Sequence, residues 1–204
     1  MKLLHIPLLL AGLSTLNVSQ VVAEPVKPLI IDVDTKSVSG KQQELTFVST
    51  KALFGEGIPQ NLKLNFASGD QSAESLVQVS LIDNTLSPRL LDGTSQGVLV
   101  LVGASLQAGK GLADQKAFKM LERPLIDRYR GEVLLSIAAA RSAEWPFDTF
   151  EVVSFPTLEH YLALMSDPEF APEQPLGKLA MQTYTPDLRV SLGEIQNPAA
   201  SAGK

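Results

Sequence analysis

The chain has 204 residues, 45% of them hydrophobic, with two histidines, no cysteine and a formal charge of −5. Without thiols, cysteine catalysis, iron–sulfur clusters, thiolate metal sites and lipid attachment through cysteine are excluded. The mild acidity and the absence of any Lys/Arg run argue against nucleic acid and against an anionic membrane surface, both of which are held by clustered cations.

In chain order, Lys2 is followed by an apolar stretch from Leu3 to Leu16, too short to span a bilayer as a helix. A polar stretch then leads to Val21-Val22-Ala23 before Glu24-Pro25, small residues at the positions a signal peptidase reads. Residues 1–23 are expected to be a cleaved signal peptide, which places the mature chain in the periplasm or outside the cell with no membrane span. Cleavage removes His5 and leaves His160 as the one imidazole, so a multi-histidine metal site within one subunit is not expected. No metal and no cofactor are predicted.

Residues 24–96 read as a β-rich segment of uncertain fold. Leu29 to Val33 and Glu44 to Ser49 are short apolar runs, and Leu62, Leu64 and Phe66, then Val77, Val79 and Leu81, alternate with other residues at strand period. A turn-rich stretch from Asn84 to Gly97 separates this segment from the next.

Residues 97–192 predict a second unit. Val98 to Ser105 is a continuous apolar strand. Phe118, Leu121, Leu125 and Tyr129 form a helical stripe, in which Pro124 is expected to make a kink or start a second turn-length piece, and which Gly131 is expected to end. Val133, Leu135 and Ile137 alternate in a second strand, and Phe147 to Phe155 makes a third. Thr157 caps a helix carrying Leu158, Tyr161, Leu162 and Met165, and Lys178 to Tyr184 is read as a fourth strand. Residues 193–204 read as a disordered tail. The order β-α-β-β-α-β predicts an α+β, ferredoxin-like C-terminal domain: a four-stranded antiparallel sheet with both helices on one face. Its other face is also apolar, with Leu134, Ala138, Val153 and Phe155. That predicts either a homodimer, sheet to sheet, or packing against the N-terminal half.

Phe147-Asp148, Val152 to Thr157 and Leu162 to Phe170, together with Arg128 to Val133, resemble hallmarks of the dimeric α+β barrel superfamily. The resemblance is to its uncharacterised domain-of-unknown-function branch, related to EthD-like proteins and antibiotic-biosynthesis monooxygenases. It covers residues 97–190. Two places depart from that pattern: Phe147 stands where the branch carries Trp, with Trp145 two residues away, and Leu176-Gly177-Lys178 stands where it carries His-Arg or Arg. The resemblance implies a fold, and the fold alone transfers no chemistry.

Six residues are candidates for function. Asp148 opens the third strand between aromatic residues, where desolvation would raise its pKa toward that of a useful base; the alternative is a strand-end aspartate satisfied by backbone amides. Tyr129 is a second catalytic candidate, otherwise explained by core packing. Arg128, Glu151, His160 and Trp145 are candidate ligand contacts. For Arg128 the helix dipole is an alternative, and for Glu151 a solvent-facing pleat. His160 lies off its helix's apolar stripe, and Trp145 is either an exposed anchor or a lid on the core. Gly109-Lys110-Gly111 lacks the spacing of a phosphate loop, and no Gly-x-Ser-x-Gly elbow is present. Three readings follow. The first is an exported protein that binds a small apolar or aromatic molecule, or a protein partner. The second is a cofactor-independent monooxygenase or isomerase with a pocket at Asp148. The third is a structural module whose second sheet face is a dimer core.

Overall fold

The computed structural model describes residues 29–34, 43–56, 58, 61–67, 77–92, 95, 97–139, 141 and 145–196; the expected signal segment 1–23 and residues 197–204 lie outside these. Eight strands are described: β1 (Leu29–Asp34), β2 (Gln43–Phe54), β3 (Asn61–Ala67), β4 (Val77–Leu86), β5 (Val98–Ala104), β6 (Glu132–Ala139), β7 (Thr149–Phe155) and β8 (Arg189–Gln196). They form one ring in the order β1-β3-β2-β8-β5-β7-β6-β4, closed by the pairing of β4 with β1. β1 runs parallel to both neighbours, and the other pairs are antiparallel. Closure pairs every strand on both sides and leaves no open edge.

This overturns the ferredoxin-like C-terminal domain with a separate β-rich segment before it. The N-terminal strands β2 and β4 flank the C-terminal block on either side, at β8 and β6, and all eight share one barrel. Helices α1 (Pro88–Leu91), α2 (Leu112–Arg128), α3 (Leu158–Met165) and α4 (Pro175–Thr183) complete the described elements, with a 3₁₀ turn at Pro168–Phe170. The expected strand from Lys178 to Tyr184 is instead most of α4. Pro175 pre-sets the first helical turn, and Leu176, Leu179, Ala180 and Thr183 recur at helical spacing. The last strand is β8, whose final residues 193–196 had the composition of a tail. Gly193 is no chain-breaker there: a Cβ would fall 2.7 Å from the Leu101 side chain, so only glycine lets the two strands' neighbours pack. Helix α2 continues through Pro124, which is exposed on its outer face.

Alternation along the strands sorts side chains into two cores. The barrel interior holds Leu45, Phe47, Leu62 and Leu64 from the N-terminal half, packed with Leu99, Leu101, Ile137, Phe150 and Val152. Trp145 and Phe147 plug it, edge to face at 5.2 Å, and Phe150 stands 5.6 Å from Trp145. The outer face of β5, β6, β7 and β8 carries Val100, Val133, Val153, Phe155 and Val190, covered by Phe118, Leu125 and Ile126 of α2, Tyr161 and Leu164 of α3, and Leu176 of α4. Bulges in β2 after Ser49 and Ala52 re-aim that strand, so that Leu53 joins the outer core while Leu45 and Phe47 stay inside.

Candidate functional site

The barrel interior is filled by large side chains, but the outer layer is not. Between the sheet and its helices lies a cavity of about 540 Å³. Its floor is the outer face of β5, β7 and β8, including Val100, Val102, Val153 and Val190; its roof includes Phe118 of α2, Leu164 of α3 and Ala180 of α4. Phe54, Met165 and Met181 line it and are also 58%, 45% and 55% exposed, which marks where it meets solvent.

One wall is charged. Lys119 and Glu122 descend from α2, and Glu151 rises from β7 to meet them. Lys119 Nζ donates to Glu122 Oε2 at 2.6 Å and to Glu151 Oε2 at 2.5 Å. The second oxygen of Glu151 accepts the Ser136 hydroxyl at 2.7 Å, from the neighbouring strand β6. The bulge between Val133 and Leu135 sets this up, because it puts Leu134 and Leu135 together in the interior and turns Ser136 outward.

Burial works against the Lys119 charge, but Glu122 and Glu151 outweigh it and hold the ammonium above its ordinary range. For Glu122 burial dominates: it pushes the carboxyl up, with Glu151 adding to the rise and Lys119 opposing it. Burial, then Glu122, raises the Tyr161 phenol to about 12. Tyr184 also lines the cavity and is raised, chiefly by burial; its hydroxyl is enclosed beside the Gln115 side chain, and its ring meets Phe118 edge-on at 5.1 Å.

Of the six candidates read from the sequence, Glu151 is the one that lines this cavity. Asp148 stands at the start of β7, where its carboxylate accepts from the Leu106 amide at 2.7 Å and pairs with Arg141 at 3.1 Å, outside the lining. Arg128 and Tyr129 converge on Asp167: the Tyr129 hydroxyl donates at 2.8 Å and Arg128 at 3.3 Å, while the other Asp167 oxygen accepts the Glu169 amide at 2.8 Å. They pin the end of α2 to the 3₁₀ turn after α3. His160 lies at the start of α3 with Nδ1 3.0 Å from the Thr157 hydroxyl, and Trp145 is wholly buried in the barrel interior.

Lys119, Glu122 and Tyr184 were not singled out from the sequence. The signal for Glu122 is that it lies four residues after Phe118 and three before Leu125, on the apolar stripe. Gln115, three residues before Phe118, is another polar residue on that stripe, and it is fully buried. No family model, curated protein or solved structure matches the chain. The resemblance to the dimeric α+β barrel superfamily therefore rests on the residues quoted for it alone.

Proposed function

We propose that this protein reversibly binds a small, largely apolar molecule in the cavity between the barrel and its helices. The observation that carries this reading is a cavity of about 540 Å³, lined mainly by aliphatic and aromatic side chains with a few charged groups on one wall. Ligand pockets have that size range and that chemistry: apolar walls supply affinity, and a few polar groups supply orientation. At Glu151 and Asp148, the two carboxylates read from the sequence, binding is favoured over turnover. Glu151 already accepts from Lys119 and Ser136, and Asp148 from Leu106 and Arg141, so neither stands ready to take a proton from a substrate. The signal-like character of residues 1–23 supports a site of action outside the cytoplasm.

The test is titration with the neutral fluorescent probe N-phenylnaphthylamine. The wild-type protein is expected to bind it saturably. Ala180→Trp, which places an indole in the roof of the cavity, is expected to weaken binding about tenfold or more while thermal melting shows a folded protein. Equal affinity in the two proteins would remove the cavity as the binding site.

A further inference from the structure

Beyond apolar contact, the charged wall points to a particular kind of ligand. We propose that the cavity selects an apolar molecule that ends in an ammonium group, held by the Glu122–Glu151 carboxylate pair beside Lys119. This rests on the binding reading above and names the ligand class for the same site.

Two carboxylates, from Glu122 and Glu151, share the single ammonium of Lys119, and all three side chains are largely enclosed, at 16%, 5% and 16% exposure for Glu122, Glu151 and Lys119. Arg123, the next residue along, acts on Glu122 from outside the lining, so Lys119 is the cation that meets the pair within it. Within the lining two acidic groups face one ammonium, an imbalance that is costly in a poorly solvated space and that a second cation brought by a ligand offsets. A carboxylate ligand would enlarge the imbalance, and a neutral ligand would leave it in place.

The surroundings of the acidic pair also suit an ammonium. An ammonium carries three donors, and the Tyr184 hydroxyl, enclosed in the lining beside Gln115, keeps acceptor capacity close to the triad. Aromatic faces complete the setting. Lys119 Nζ already lies 5.4 Å from the Phe118 ring centre, showing that a cation is accommodated over that ring, and Phe155 and Tyr161 line the same space. The rest of the cavity, with Val100, Val153 and Leu164, takes the apolar body of the ligand.

Three probes of one shape separate the possibilities: phenylbutylamine, phenylbutanol and phenylbutyrate, each titrated calorimetrically into the full-length protein at neutral pH. The amine is expected to bind about tenfold more tightly than the alcohol, as a charge-assisted bond exceeds a neutral one, and phenylbutyrate is expected to bind most weakly. In Glu122→Gln the amine-to-alcohol ratio should fall toward one. An alcohol that binds as well as the amine, or a carboxylate that binds best, overturns the ammonium assignment and leaves the cavity reading standing. If none of the three binds, the ammonium assignment fails, and N-phenylnaphthylamine binding decides the cavity reading separately. The wild-type comparison decides the matter even where Glu122→Gln does not fold.

Discussion

The two sides of the barrel wall are built from the same strands to different ends. In β7, Phe150 and Val152 point into the interior while Glu151 and Val153 point into the outer layer, so adjacent residues serve different cores. Inside, aromatic rings and leucines from both halves of the chain meet, and Gly103 is required because a Cβ there would fall 2.5 Å from the Phe147 ring. Outside, the same sheet is covered less completely, and the covering helix brings Gln115, Lys119 and Glu122 into positions that packing alone would fill with apolar residues. Uniform apolar packing secures a fold, whereas a polar residue kept on a buried stripe costs stability and so marks a place used for something else.

The largest effect should come from breaking the interior. Phe150→Ala is expected to cost about 3–5 kcal/mol, measured by urea denaturation, because the closed ring cannot collapse onto the void. A loss below about 1 kcal/mol would mean that the interior is not the principal core.

Lys119→Met should come next and sharpen the contrast. It leaves two enclosed carboxylates facing each other without their cation, and about 3 kcal/mol should be lost at neutral pH. The sign of the pH dependence follows from Glu122, whose carboxyl is already raised by burial. A carboxyl with a raised folded pKa stabilises at low pH and loses that contribution as pH rises through the folded value. The gap between wild type and Lys119→Met should therefore narrow in acid, which denaturation at several pH values will test. A gap independent of pH would argue that only packing was lost.

A smaller effect is expected at the rim of the outer layer. The Glu169 amide, the Tyr129 hydroxyl and Arg128 hold the Asp167 carboxyl below its usual range. Its contribution is therefore present above the ordinary carboxylate pKa of about 4 and lost as pH falls through the lower folded value. Asp167→Asn should destabilise modestly at neutral pH and match wild type in strong acid; a difference that persists in acid would show that the role is not electrostatic.

The mildest test uses absorbance alone. All three tyrosines, Tyr129, Tyr161 and Tyr184, are raised, Tyr129 through its bond to Asp167 and the other two by burial. Native protein should show little tyrosinate at pH about 10, where a free phenol is half ionised. A phenol titrating at its ordinary value would show that one of these rings is not held as described.

Local pattern made part of this legible in the sequence. Alternation at Leu62, Leu64 and Phe66 and the continuous run from Val98 mark strands, and the stripes of α2 and α3 mark helices, because each of those signals is set by near neighbours. Barrel closure was not legible, since it depends on pairings such as β2 with β8, with Phe47 opposite Ile195, far apart in the chain. The segment from Lys178 to Tyr184 misled because a short apolar run reads equally as strand or helix, and the helix start at Pro175 decides it. At the site, Glu151 is legible as a charge in a strand and Glu122 as a charge on the α2 stripe, but Lys119 reads as an ordinary solvated residue until the sheet beneath it is in place.

Ligands are expected to enter the outer layer and leave the barrel interior untouched. Methyl-labelled protein titrated with phenylbutanol and followed by carbon-detected NMR shifts tests it directly. Val153, Leu164 and Val190 should shift, while Leu62, Leu64 and Leu101 stay fixed. Shifts confined to the interior leucines, or no shifts at saturating probe, would contradict it.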